Sequence, residues 1–117
     1  MRRKITFCFD IDNTICKTDN RAYSKSKPIY KAIRTINNLY DNGHIIKIFT
    51  ARYMGRSNDN KITAKKLASN LTKKQLKEWG VNYNKLIFGK PSYDIFVDDK
   101  NLCYKKNWRL TLQKKFL

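Results

Sequence analysis

Three short runs rich in β-branched and aromatic residues, KITFCF at 4–9, IIKIFT at 45–50 and KLIF at 85–88, alternate with two segments of helical periodicity. This alternation constrains the fold most. Strand, helix, strand, helix, strand is the order of a parallel sheet with helices on its faces. The expected fold class is therefore α/β, a Rossmann-like three-layer α/β/α domain with a mainly parallel sheet. In such sheets the binding crevice lies beyond the carboxyl ends of the strands.

The first helix is expected to open at Pro28, since proline suits a first helical position. Ile29, Ala32, Ile33, Ile36, Leu39 and Tyr40 follow at helical spacing, and Asp41-Asn42-Gly43 ends it. A second helix is expected over about 61–79, with Ile62, Leu67, Leu71, Leu76 and Trp79 on its apolar side and Gly80 as its stop. Residues 93–97 read as a fourth strand. The alternation of Trp108, Leu110 and Leu112 is compatible with an edge strand, and the basic end at Lys114 and Lys115 leaves the tail open. Residues 14–27 read as a polar flap and 53–60 as a mobile loop. Cys8 reads as a small apolar packer inside a buried strand.

The 117 residues suffice for one small domain spanning 1–117. Lysine and arginine number 26 against 9 aspartates and glutamates, a net charge of +17. The basic residues spread along the whole chain, which reads as a solvated surface, although such a field attracts anions. No apolar run approaches the roughly 18 residues of a membrane span. The basic start Met1–Lys4 leads into an apolar run too short for a signal peptide. Three scattered cysteines, Cys8, Cys16 and Cys103, point to a reducing cytoplasm, and one histidine excludes a zinc cluster.

The acids are not spread like the lysines. Asp10 and Asp12 follow the first strand, and Asp98 and Asp99 follow the apolar run Ile95-Phe96-Val97. Four carboxylates converging on one crevice repel each other and call for a cation, and an all-oxygen set suits Mg²⁺. One intervening residue in extended chain puts Asp10 and Asp12 on the same side, where one could attack and the other transfer protons. A lone pair of this kind is equally a turn or helix-capping pair. Asn13 tolerates the left-handed turn that a sharp exit from the strand needs. Thr50 ends the second strand, where its hydroxyl and the N–H groups of Ala51 and Arg52 could hold an anion. Arg52 can grip phosphate or carboxylate with two N–H groups, or lie on the surface. Lys90, fixed between Gly89 and Pro91, could neutralise a nucleophilic carboxylate and a transferring phosphoryl group.

FDIDNTI, then IFTAR, then GKP, then FVDD, in that order, resembles the four motifs of the haloacid dehalogenase superfamily of phosphohydrolases. The segment YNKLIFGKP at 83–91 adds a similarity to small capsule and lipopolysaccharide biosynthesis phosphatases. The resemblance runs from about residue 4 to residue 101. It implies Asp10 as nucleophile, forming an aspartyl-phosphate, and Asp12 as the acid and base that serves the leaving oxygen and then water. It implies Thr50 and Lys90 as phosphoryl ligands, with Asn13, Ala51 and Arg52 beside the substrate. Asp10, the Asp12 carbonyl and Asp99 would hold Mg²⁺, with Asp98 as a further or indirect ligand.

About 15 residues separate Asp12 from the first helix, too few for a cap domain. The expected site is open, closed by the flap, the 53–60 loop or a neighbouring subunit in an oligomer. The expected activity is hydrolysis of a phosphorylated sugar or small-molecule precursor of surface polysaccharide. Two other readings stand beside it. The charge also suits a phosphatase of nucleotides or nucleic-acid ends, or a non-catalytic nucleic-acid-binding domain.

Overall fold

A computed structural model describes residues 3–117; Met1 and Arg2 of the basic start lie outside the described residues. Strand β1 (Thr6–Phe9) leads to a two-residue strand β2 (Cys16–Lys17), which pairs antiparallel with β3 (Lys27–Pro28). Helix α1 (Tyr30–Asp41), strand β4 (Ile45–Thr50), helix α2 (Lys61–Glu78), strand β5 (Lys85–Phe88) and helix α3 (Trp108–Phe116) follow. The main sheet is parallel, in the order β1-β4-β5.

The register explains where the core sits. Phe7 lies beside Ile46, Phe9 beside Ile48 and Thr50 beside Phe88, so these side chains share one face of the sheet. That face meets Ala32, Ile33, Ile36 and Leu39 of α1, Leu76 of α2, and Trp108 and Leu112 of α3 in one apolar cluster. Helix α1 is tied to the turn after α2: the Asn37 amide donates to the Gly80 carbonyl, and its oxygen accepts from the Asn82 N–H. Thr6, Cys8, Lys47 and Lys85 occupy the opposite face, where no strand residue is buried. The α/β class therefore holds, but the helices form one layer and not the two expected. Cys8, expected to be buried, is exposed on the open face.

Four further expectations are corrected. Pro28 does not open α1. It pairs with Cys16 in the β2–β3 ladder, and α1 begins at Tyr30; proline, lacking an N–H, suits so short a strand. The flap thus has pinned ends, and Tyr23–Lys25 makes a 3-10 turn within it.

Helix α2 has its expected bounds to within a residue, but its buried side is Ala64, Ala68, Thr72, Gln75 and Leu76. Ile62 and Leu67 are exposed. Small and polar residues line this side because a buried arginine lies against it.

Residues 93–97 form no strand. Ile95 and Val97 are 82% and 90% exposed, and β1 remains an edge strand among the described residues. The tail is a helix, not an edge strand. Trp108 and Leu112 are spaced equally well for one helical face, and Leu110 falls on the outer side.

Candidate active site

Asp10 is the first residue beyond β1, and Ile11 behind it is fully buried. The Ile11 carbonyl accepts N–H groups from Thr14, Ile15 and Cys16, which closes a tight turn. Asn13 takes the left-handed conformation expected of it, with φ +64°. This turn holds Asp10 and Asp12 against one cavity of about 200 Å³, whose wall also includes Asn13, Ala51 and Thr18. A larger cavity of about 330 Å³ lies between α2 and β5, but its walls are lysine and apolar side chains without an acid.

The parallel register brings the other strand ends to the same place. The Lys90 N–H donates to the Thr50 carbonyl at 3.1 Å, and the Arg52 N–H donates to the Thr50 hydroxyl oxygen at 3.1 Å. The ammonium group of Lys90 is 3.9 Å from Asp10 Oδ1. It also lies 5.4 Å from the Tyr93 ring centre and 5.3 Å from that of Phe96, so aromatic faces hold it over the acid. Burial pushes the Asp10 carboxyl up from its ordinary range. Lys90 and the Ile11 N–H oppose that push, and Asp12 adds to it.

Gly89 makes the Lys90 position possible. Its φ is +93°, and a Cβ there would stand 2.7 Å from the Lys61 Cβ. Gly89→Ala is expected to lose about 1–3 kcal/mol of stability through strain alone. Urea unfolding measures this, and an unchanged midpoint would show that the turn relaxes freely.

Arg52 departs from expectation. It was read as a substrate-binding or surface residue, yet it is 1% exposed. Its Nε donates to both Asp12 oxygens and its Nη2 to Asp12 Oδ1 at 3.0 Å. Its Nη1 donates to Thr72 and Gln75 on α2. The Thr18 hydroxyl donates to Asp12 Oδ1 at 2.6 Å, and the Gln75 amide holds the flap through the Tyr23 carbonyl. Arg52 is therefore a positioning residue that ties Asp12 to α2 and the flap. Thr18, Thr72 and Gln75 were missed in the sequence. The one signal for the last two was a pair of polar residues three apart on the inner side of α2.

Asp98 and Asp99 do not join the other acids. Both are exposed. The Lys100 N–H, and then the Asp99 side chain, hold the Asp98 carboxyl below its ordinary range. Among the described residues, no group of three or more acidic, histidine or cysteine side chains is arranged to hold a metal ion. The expected four-acid convergence is corrected accordingly. Asp10 and Asp12 alone face the cavity, and Asp12 Oδ1 is already taken by Arg52 and Thr18. The residues in this arrangement do not fit Mg²⁺.

Backbone strain gathers around the same cavity. The non-glycine residues with positive φ are Asn13, Asn20, Arg21, Tyr53, Asn58 and Asp59, all in the turn after β1, the flap and the 53–60 loop. That loop carries a 3-10 turn at Gly55–Ser57. Strain of this kind collects at functional sites.

No protein-family model and no curated protein matches the chain. A crystal structure of a structural-genomics target from Vibrio cholerae is similar in fold, with a TM-score of 0.78 at 20% identity, covering 97% of this chain and 98% of that one. At that identity the likeness extends to the α/β fold alone.

Proposed function

We propose that the chain is a phosphomonoester hydrolase in which Asp10 attacks phosphorus. The observation that carries this reading is Asp10, which lines a cavity of about 200 Å³ and has the Lys90 ammonium group 3.9 Å behind it at the joined ends of β1, β4 and β5. A half-buried carboxylate beside an ammonium group is a nucleophile whose charge is balanced as phosphate approaches. The bond from Asp10 to phosphorus forms as the bond to the leaving oxygen breaks, and that oxygen takes a proton from Asp12. Water then attacks the aspartyl-phosphate and returns a proton to Asp12. Among the described residues Asp12 Oδ2 accepts only the Arg52 Nε hydrogen bond, so it keeps lone pairs for this traffic. Ala51 lines the same cavity, while Thr50 is fully buried behind it with its hydroxyl taken by the Arg52 N–H.

The sequence resemblance to haloacid dehalogenase phosphohydrolases supports the same reaction. It also supports the substrate class, a sugar phosphate or small phosphorylated alcohol used in surface polysaccharide. Mg²⁺ enters through the resemblance alone, and no step is assigned to it. Among the described residues no helix is long and apolar enough to cross a membrane.

The test is phosphate release from sugar phosphates, amino-alcohol phosphates and nucleotides, with Mg²⁺ and with EDTA. Release from at least one monoester is expected. Silence on all of them under both conditions would overturn the reading. Release unaffected by EDTA would remove the metal and leave the reaction.

A further inference from the structure

Four basic side chains border or support the Asp10 cavity, and two of them have acidic partners. Lys90 pairs with Asp10 and Arg52 with Asp12. Arg21 and Arg56 both line the cavity, and among the described residues neither makes an ion pair. They are neighbours: Arg56 Nη2 donates to the Arg21 carbonyl at 2.8 Å. Two cationic side chains on the wall of one small cavity leave positive charge there that an anion would offset.

Aromatic rings hold the Arg56 group in place. The Arg56 guanidinium lies 5.3 Å from the Tyr23 ring centre and 4.9 Å from that of Tyr53. The two rings are themselves 5.0 Å apart. Stacking on ring faces fixes a guanidinium while leaving its in-plane N–H groups for a ligand. Arg21 Nη1 lies 3.4 Å from where a Cβ on Gly55 would stand, so the Arg21 side chain packs over Gly55 at the cavity wall. The backbones of Arg21 and Tyr53 are left-handed, at φ +57° and +63°, although neither residue type favours that region. Such strain marks ligand clamps.

We propose that Arg21 and Arg56 form a second anion subsite, which takes a carboxylate or phosphate on the far end of the substrate. The proposal rests on the phosphatase reading above. The ester phosphate faces Asp10 and Lys90, and the second anion faces the two guanidinium groups. Each planar fork suits either oxyanion. The cavity of about 200 Å³ is smaller than the roughly 300–1,000 Å³ of drug-sized ligand sites. The substrate class is therefore a small phosphomonoester with a second negative group.

The experiment compares kcat/KM for 3-phosphoglycerate, fructose 1,6-bisphosphate, glycerol 3-phosphate and phosphoethanolamine. The first two carry a second anion, as carboxylate and as phosphate. Wild-type protein is expected to favour one of them over glycerol 3-phosphate by about 10- to 100-fold, the scale of one or two charge-assisted hydrogen bonds. Arg21→Gln/Arg56→Gln is expected to collapse that ratio, and Arg21→Glu/Arg56→Glu to tilt it toward phosphoethanolamine. Circular dichroism melts check that each variant folds. A ratio that a folded variant leaves unchanged would overturn the subsite, as would faster turnover of a 5′-phosphorylated oligonucleotide than of every small substrate. Calorimetric binding of 3-phosphoglycerate and fructose 1,6-bisphosphate to Asp10→Asn protein separates the two readings. Binding that needs both arginines, in a chain whose wild type releases no phosphate, would retain the subsite and overturn the reaction. No binding of either ligand would overturn the subsite.

Discussion

Asp10→Asn is expected to lower phosphate release by about 10⁴-fold or more, and at the same time to make the protein more stable at neutral pH. The first effect follows from the role: an amide does not attack phosphorus, and loss of a nucleophile ranks with the largest single-residue losses. The second follows from where the carboxylate sits. Burial raises the Asp10 carboxyl above its ordinary value of 3.8, against the opposing pull of Lys90 at 3.9 Å. The raised direction means that burial outweighs the ion pair.

A group whose folded-state pKa is raised stabilises the fold fully below its unfolded value and loses that stability as pH climbs through its folded value. At neutral pH the ionised Asp10 is thus a net cost. Asparagine keeps the shape and removes the charge. Thermal melts of the two proteins should differ at pH 7 in favour of the variant, and the gap should narrow toward about pH 3.5, below the ordinary carboxylate value. The same shift places the acid limb of the pH–rate profile above the ordinary aspartate range. Undiminished phosphate release in the variant would remove Asp10 as nucleophile. A less stable variant at pH 7 would mean that the Lys90 pairing outweighs the burial. The two outcomes are read by separate instruments and cannot be confused.

The sites that proved legible in the sequence are those whose signal is local. β1, β4 and β5 announce themselves by short β-branched and aromatic runs, and α1 by Ala32, Ile33, Ile36 and Leu39 at helical spacing. Strand ends follow from strands, so Asp10, Asp12, Thr50 and Lys90 came together as the topology requires. The failures have one physical root: a local pattern does not say what a segment will pack against. Ile95-Phe96-Val97 has every local mark of a strand, yet among the described residues no strand pairs with it, and Ile95 and Val97 are exposed. Trp108 and Leu112 fit both periods, and contact with α1 decides for the helix. Gln75 and Thr72 on the buried side of α2 make sense only once Arg52 is known to lie beneath them.

Arg52 carries the second large effect. Arg52→Met is expected to cost about 3–5 kcal/mol, the scale of breaking a buried pair by removing one partner. Domains of this kind have only about 5–15 kcal/mol in total, so the variant should sit near the edge of unfolding at ambient temperature. The size comes from what is left behind. Asp12 loses three N–H contacts from one guanidinium, and Thr72 and Gln75 lose a donor in the interior. Methionine fills the volume and answers none of them. Arg52→Lys should rescue little, because one ammonium group cannot span Asp12 on one side and α2 on the other.

Urea unfolding of wild type, Arg52→Met, Asp12→Asn and the double variant measures the coupling directly. The double variant should lose much less than the sum of the singles, since each single already breaks the same network. Additive losses, or a cost below about 1 kcal/mol for Arg52→Met, would mean that Arg52 behaves as an ordinary exposed cation. The alternative assignment, with Arg52 on substrate phosphate, would then return. In the proposed reaction, Arg52 would act through Asp12, because its guanidinium fixes where that carboxylate points.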